Sequence, residues 1–234
     1  MYKTKNGGLY MKACFVTDKS VSSFWETDIE RVGKVPLLCF GFNGLGLVSY
    51  KKELKGETEY FHDVASLSRQ TGGVVISGLD TDTYGVYRNS CVVADKGKIL
   101  GVSDANFMLD ESEFKSGGNF RVYETSAGKI GVVVAEDVFY PEVIKTLSLC
   151  DADFVISVFG RIENSMAQVM MRAGSFSCGV TICMLAENYL QASDSKGNII
   201  FATANGVTVT KLNIEKEFHK ITTRRRGYSC DGVF

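Results

Sequence analysis

The stretch that most constrains the fold runs from Gly128 to Glu142. Ile130 to Ala135 is apolar without alternation, which predicts a strand covered on both faces. Glu136 and Asp137 break the run where the strand ends, and Pro141 with Glu142 suits the first turn of a helix. A buried strand that bends sharply into a helix start presents backbone N–H groups at the bend, a common mount for a nucleophile. Here the bend carries Ala135, a residue with no reactive group.

The remaining chain reads as strands joined by hairpins, with a few helices between them. Strands are expected at 12–17, 36–40, 74–78, 87–94, 99–102, 121–125, 153–158, 181–186, 199–201 and 206–212. Asp95-Lys96-Gly97-Lys98, Ser126-Ala127-Gly128-Lys129 and Ser193–Asn198 mark hairpin turns. Helices are expected at 57–70, 141–149 and 165–177, with a shortened or irregular one across 21–32. On the helix at 165–177, Met166, Val169, Met170, Ala173 and Phe176 form the stripe expected to face the core. Met171 lies off that stripe and is read as the pointer to a partner. Residues 1–10 read as a polar leader and 221–234 as a polar, basic tail. This order is neither a βαβ repeat nor all-β; it fits two mixed sheets packed face to face with helices outside, an α-β-β-α sandwich. At 234 residues and 45% hydrophobic content, one domain over 1–234 is expected.

A net charge of −1 argues against bulk attraction to nucleic acid or anionic membrane. Arg224-Arg225-Arg226 is the one dense basic run. No apolar run is long enough to span a bilayer. The seven cysteines show no metal-ligand spacing, and only His62 and His219 could assist, so no metal and no cofactor are expected. Their odd number and settings point to free thiols in a reduced cytoplasm.

The chain from about Lys12 to Tyr228 resembles the carbon–nitrogen hydrolase (nitrilase) superfamily. Order and spacing carry the resemblance. The stretch Gly128–Glu142 matches the family's Gly turn, apolar strand, Cys-x-Asp and closing Phe-Pro-Glu, with Ala135 at the Cys place and Asp137 at the Asp place. Tyr87-Arg88-Asn89-Ser90 resembles its Tyr-Asn-Ser strand. Glu111 to Gly118 resembles its Glu…Phe-x-x-Gly loop, and Arg172-Ala173 the start of its Arg-Ala-x-Glu-Asn helix.

The resemblance implies the α-β-β-α sandwich and hydrolysis or transfer at non-peptide C–N bonds by a Glu base, a Lys at the oxyanion and a Cys nucleophile. In this sequence Phe42 stands at the Glu place, Ala105 at the Lys place and Ala135 at the Cys place. All three replacements are apolar, so the vacated positions can stay folded without buried unpaired charge. The first expectation is therefore a non-catalytic relative that keeps the scaffold for small-molecule binding or assembly. The alternative is an active hydrolase of amides, nitriles or carbamoyl compounds with a relocated site, built from Cys39 with Asp104, Glu136 or Asp137. Against that alternative, Cys39 reads as a buried strand cysteine, Glu136 as a solvated loop carboxylate and Asp137 as a local clamp on the bend. The resemblance also implies a homodimer through the helices at 141–149 and 165–177.

Overall fold

The computed structural model describes residues 2–3, 9–108 and 113–215. One sheet holds β1 (Tyr2–Lys3), β2 (Leu9–Val16), β3 (Leu37–Phe40), β4 (Leu47–Ser49), β5 (Val74–Thr83), β6 (Val86–Asp95), β7 (Lys98–Asp104) and the late strand β14 (Val207–Ile214). The second holds β8 (Val122–Thr125), β9 (Gly128–Val134), β10 (Phe154–Val158), β11 (Thr181–Ala186), β12 (Tyr189–Ser193) and β13 (Ile199–Thr203). The helices are α1 (Val21–Thr27), α2 (Ile29–Val32), α3 (Tyr50–Leu54), α4 (Tyr60–Thr71), α5 (Pro141–Leu149) and α6 (Met166–Cys178).

Each central strand feeds two cores, because successive side chains point to opposite faces. Phe15, Leu37, Cys39 and Ile76 meet Ile130, Val132, Val134 and Ile156 between the sheets. Cys14, Val16, Leu38 and Phe40 face the other way, onto Val21 and Phe24 of α1 and Val64 and Leu67 of α4. Val133, Val155 and Ile182 pack under Val143, Ile144 and Leu147 of α5 and Met171 of α6. The layers are therefore helix, sheet, sheet, helix. β2, β3 and β5 run parallel to one another in the first sheet, and β9, β10 and β11 in the second.

Several expectations need correction. Within the stretch read as a leader, Tyr2–Lys3 form β1 and Leu9 and Tyr10 begin β2, where they pair with Ile214 and Asn213 of β14. The tail at 221–234, with the Arg224–Arg226 run, lies outside the described residues. β4 and α3 follow the Gly-rich loop, where no element was expected.

The largest correction concerns α6, whose stripe is reversed. Ala167, Met171, Gly174 and Cys178 face the core, whereas Met166, Val169 and Phe176 stand 54%, 50% and 49% exposed. The reason is the close crossing of α5. A Cβ on Gly174 would collide with the Cδ1 of Ile144, so only the small-residue face fits there. Met171 is fully buried and points to no partner.

Candidate functional site

The elbow after β9 is built on a strained residue. Ala135 has φ +48°, a left-handed conformation rare for a residue with a Cβ. It opens a 3-10 turn over Ala135–Phe139, after which Pro141 starts α5. The Asp137 carboxylate fixes the turn. Its Oδ1 accepts from the backbone N–H groups of Asn106 at 2.9 Å and Phe107 at 2.8 Å. The side-chain amide of Asn106 donates to Oδ2 at 3.4 Å. These bonds reach about thirty residues back in the chain, so Asp137 locks the elbow to the loop after β7 and is not a local clamp. Burial pushes its pKa up to about 6, against the lowering effect of those donors. Phe107 also stacks on Tyr140, with ring centroids 3.9 Å apart.

Phe42, Ala105 and Ala135 share one environment. Ala105 and Ala135 are 1% and 5% exposed members of the core between the sheets, and Phe42 packs against that core. Gly78 lets the Phe42 turn lie flat. A Cβ there would stand 2.9 Å from the Phe42 backbone nitrogen and 2.6 Å from Val158 Cγ1. Cys39 belongs to the same core and is fully buried. Burial raises its thiol pKa well above the ordinary range, and the thiols of Cys183, Cys91 and Cys14 add to the rise. Asp104 is engaged with β6, where Ser90 Oγ donates to it at 2.7 Å and Arg88 Nε stands 3.8 Å away. The structure thus brings Phe42, Ala105, Ala135 and Cys39 to one core, and holds Asp104 by other partners.

Glu136 does not sit free in water. Its Oε2 is buried and has no hydrogen-bond partner. It lines a cavity of about 380 Å³ with Phe139, Phe159, Arg161, Glu163, Asn164 and Ala167. A smaller cavity of about 70 Å³ adjoins it through Phe159 and Arg161, and reaches Thr17, Phe42, Asn43 and Glu187. Thr17 is 2% exposed and its hydroxyl also lacks a partner. Thr17, Phe42, Glu136, Phe159 and Glu187 all stand just beyond the carboxyl ends of parallel strands. That is where open α/β sheets place ligands. Sequence reading missed Thr17, Phe159, Arg161, Glu163 and Glu187, because they come from distant segments with no motif in common. Among the described residues no group of three His, Cys, Asp or Glu side chains is placed to hold a metal ion.

Residues 42–213 match the carbon–nitrogen hydrolase family as a whole. The chain belongs to that family. Two curated relatives align over part of it. A probable nitrilase of Schizosaccharomyces pombe is 29% identical over 110 residues, 44% of this chain and 40% of that protein. A nitrilase of Pyrococcus abyssi is 31% identical over 104 residues, 43% of this chain and 39% of that protein. The chain thus aligns with about two fifths of the length of each. Among solved structures, Nit3 of Saccharomyces cerevisiae, a member of branch 10 of the nitrilase superfamily, superposes with a TM-score of 0.73 at 13% identity, covering 96% of both chains. An amidase of Nesterenkonia AN1 superposes with a TM-score of 0.71 at 15% identity, covering 93% of this chain and 95% of that one. These likenesses carry the nitrilase fold. No helix among the described residues is long and apolar enough to cross a membrane, which says nothing of a β-barrel.

Proposed function

We propose that this member of the carbon–nitrogen hydrolase family has lost the family's cysteine chemistry and keeps the scaffold for small-molecule binding or assembly. The observation that carries the reading is the elbow itself. Ala135 keeps a strained backbone conformation in a closed apolar setting, with Phe42 and Ala105 packed on the same core. The attacking thiolate, the carboxylate that would take its proton and the cation that would hold the oxyanion all lack a side chain to supply them there.

The test is a panel of amides, nitriles and carbamoyl compounds with the purified protein. The expected result is turnover no higher than the uncatalysed background. Ala135→Cys is expected to stay inactive, because a thiol without base or oxyanion partner lacks most of a cooperative unit. Turnover by the unmodified chain that disappears in Cys39→Ser would establish the relocated site and overturn the reading.

A specific observation supports assembly. Met166, Val169 and Phe176 leave the outer face of α6 apolar, and Leu149 at the end of α5 is 37% exposed. Exposed apolar surface of this kind fits a partner surface, and a second copy of the chain is the occupant expected from the family. Light scattering is expected to give a dimer that Val169→Glu converts to a monomer; a monomer for the unmodified chain at micromolar concentration removes this part.

A further inference from the structure

We infer that the cavity beside the elbow is a binding site for a small primary amine, with Glu136 as the anchor of its ammonium group. Four observations carry this. First, the Glu136 side chain lines the cavity and its carboxylate has no hydrogen-bond or ion-pair partner among the described residues, its Oε2 being closed off from solvent as well. Second, the lining carries Glu136 and Glu163 against Arg161, so the cavity is short of one positive charge. None of the three makes an ion pair among the described residues, so the shortfall is not met by any of them. Third, Phe139 and Phe159 stand edge to face at 5.8 Å in the wall, and aromatic faces attract ammonium groups. Fourth, a cavity of about 380 Å³ is of the size that holds small ligands, and it lies beyond the carboxyl ends of β9 and β10.

The pieces divide the work by chemistry. The ammonium donates to Glu136 and its alkyl stem lies against the two phenyl rings. Glu163 adds a longer-range attraction at the mouth, where it is exposed to solvent. Arg161, also exposed, repels the ammonium and is placed to meet an anionic or carbonyl tail if the ligand has one. A carboxylate ligand without an amine would face two carboxylates and one guanidinium, and is disfavoured. This assignment goes beyond the loss of hydrolysis and does not require it, because binding is read with no turnover at all.

The experiment is titration of the unmodified chain with n-butylamine, n-butyramide and n-butyrate near pH 7, followed by calorimetry and by NMR of the aromatic side chains. The amine is expected to bind and to shift the Phe139 and Phe159 ring signals, while the amide and the carboxylate do not. Glu136→Gln, which keeps size and shape, is expected to weaken the amine by about tenfold or more. Arg161→Ala, at an exposed position, is expected to leave amine binding as tight or tighter. If Glu136→Gln fails to fold, Glu163→Gln and the salt dependence of the unmodified chain read the same charge requirement. Absence of amine binding, equal binding of the amide, or binding unchanged in Glu136→Gln would each overturn the assignment. The substrate panel can fail or succeed without touching these outcomes.

Discussion

The elbow core and the cavity beside it differ sharply in how they treat charge, although Ala135 and Glu136 are adjacent. On the core side, Ala105, Ala135 and Phe42 present only carbon to the space between the sheets. On the cavity side, Glu136, Arg161 and Glu163 line an open space without pairing with each other. An apolar lining between the sheets avoids an unpaired buried charge, which would destabilise the whole domain. The cavity side carries less of that constraint, because Arg161 and Glu163 are exposed to water and only the Glu136 Oε2 is closed off without a partner. The difference predicts that the two regions respond oppositely to the same kind of substitution.

The largest effect is expected from placing charge in the core. Ala105→Lys puts an ammonium where the residue is 1% exposed, with no Glu at position 42 to receive it. The expected cost is about 3 kcal/mol or more in urea unfolding, typical of a buried charge without a partner. Arg161→Ala at the rim is expected to stay within about 0.5 kcal/mol of the unmodified chain. If Ala105→Lys proves neutral, the core holds a carboxylate or water within reach of position 105, and the contrast between the regions collapses.

The next effect probes the one ionisable group shared by the elbow and the loop after β7. Asp137 has a folded pKa raised from 3.8 to about 6, chiefly by burial. A raised carboxylate pKa means that the folded state holds the proton more tightly than the unfolded chain. Its contribution to stability is therefore full below about pH 4 and is lost as pH rises through about 6. Asp137→Asn mimics the neutral form and keeps an Oδ1 acceptor for the N–H groups of Asn106 and Phe107. Relative to the unmodified chain, the variant is expected to gain up to about 2 kcal/mol between pH 4 and pH 7. A variant that loses ground over that range would mean that the two backbone donors outweigh burial and that the carboxylate is the preferred form.

How much of this was legible in the sequence differs by region for physical reasons. The β9 strand, the bend at Ala135 and the start of α5 were readable because local chemistry decides them: an unbroken apolar run, two acids and a proline. The sandwich followed from strand order and from the resemblance, which the family match and the superpositions support. Periodicity misled on α6, because a stripe of Met, Val and Phe looks like a core face. The true core face is set by Gly174 and its close approach to Ile144, a tertiary fact with little hydrophobic signal. The partners of Asp137 lie about thirty residues away and cannot be read from neighbours in the chain. The cavity is assembled from the ends of separate strands, so its charge imbalance exists only in three dimensions.

The smallest effect tests how much strain the elbow stores at Ala135. At φ +48° a Cβ crowds the backbone, an energy cost that glycine avoids. An active nucleophile would justify that cost, whereas alanine gains nothing chemical from it. Two terms oppose the relief: glycine has more freedom to lose on folding, and a buried methyl disappears from the core. The strain term is expected to win narrowly, so that Ala135→Gly raises stability by about 0.5 kcal/mol in urea unfolding. A loss of 1 kcal/mol or more would show that the Ala135 methyl is a packed part of the inter-sheet core, and that its packing outweighs the relief of backbone strain.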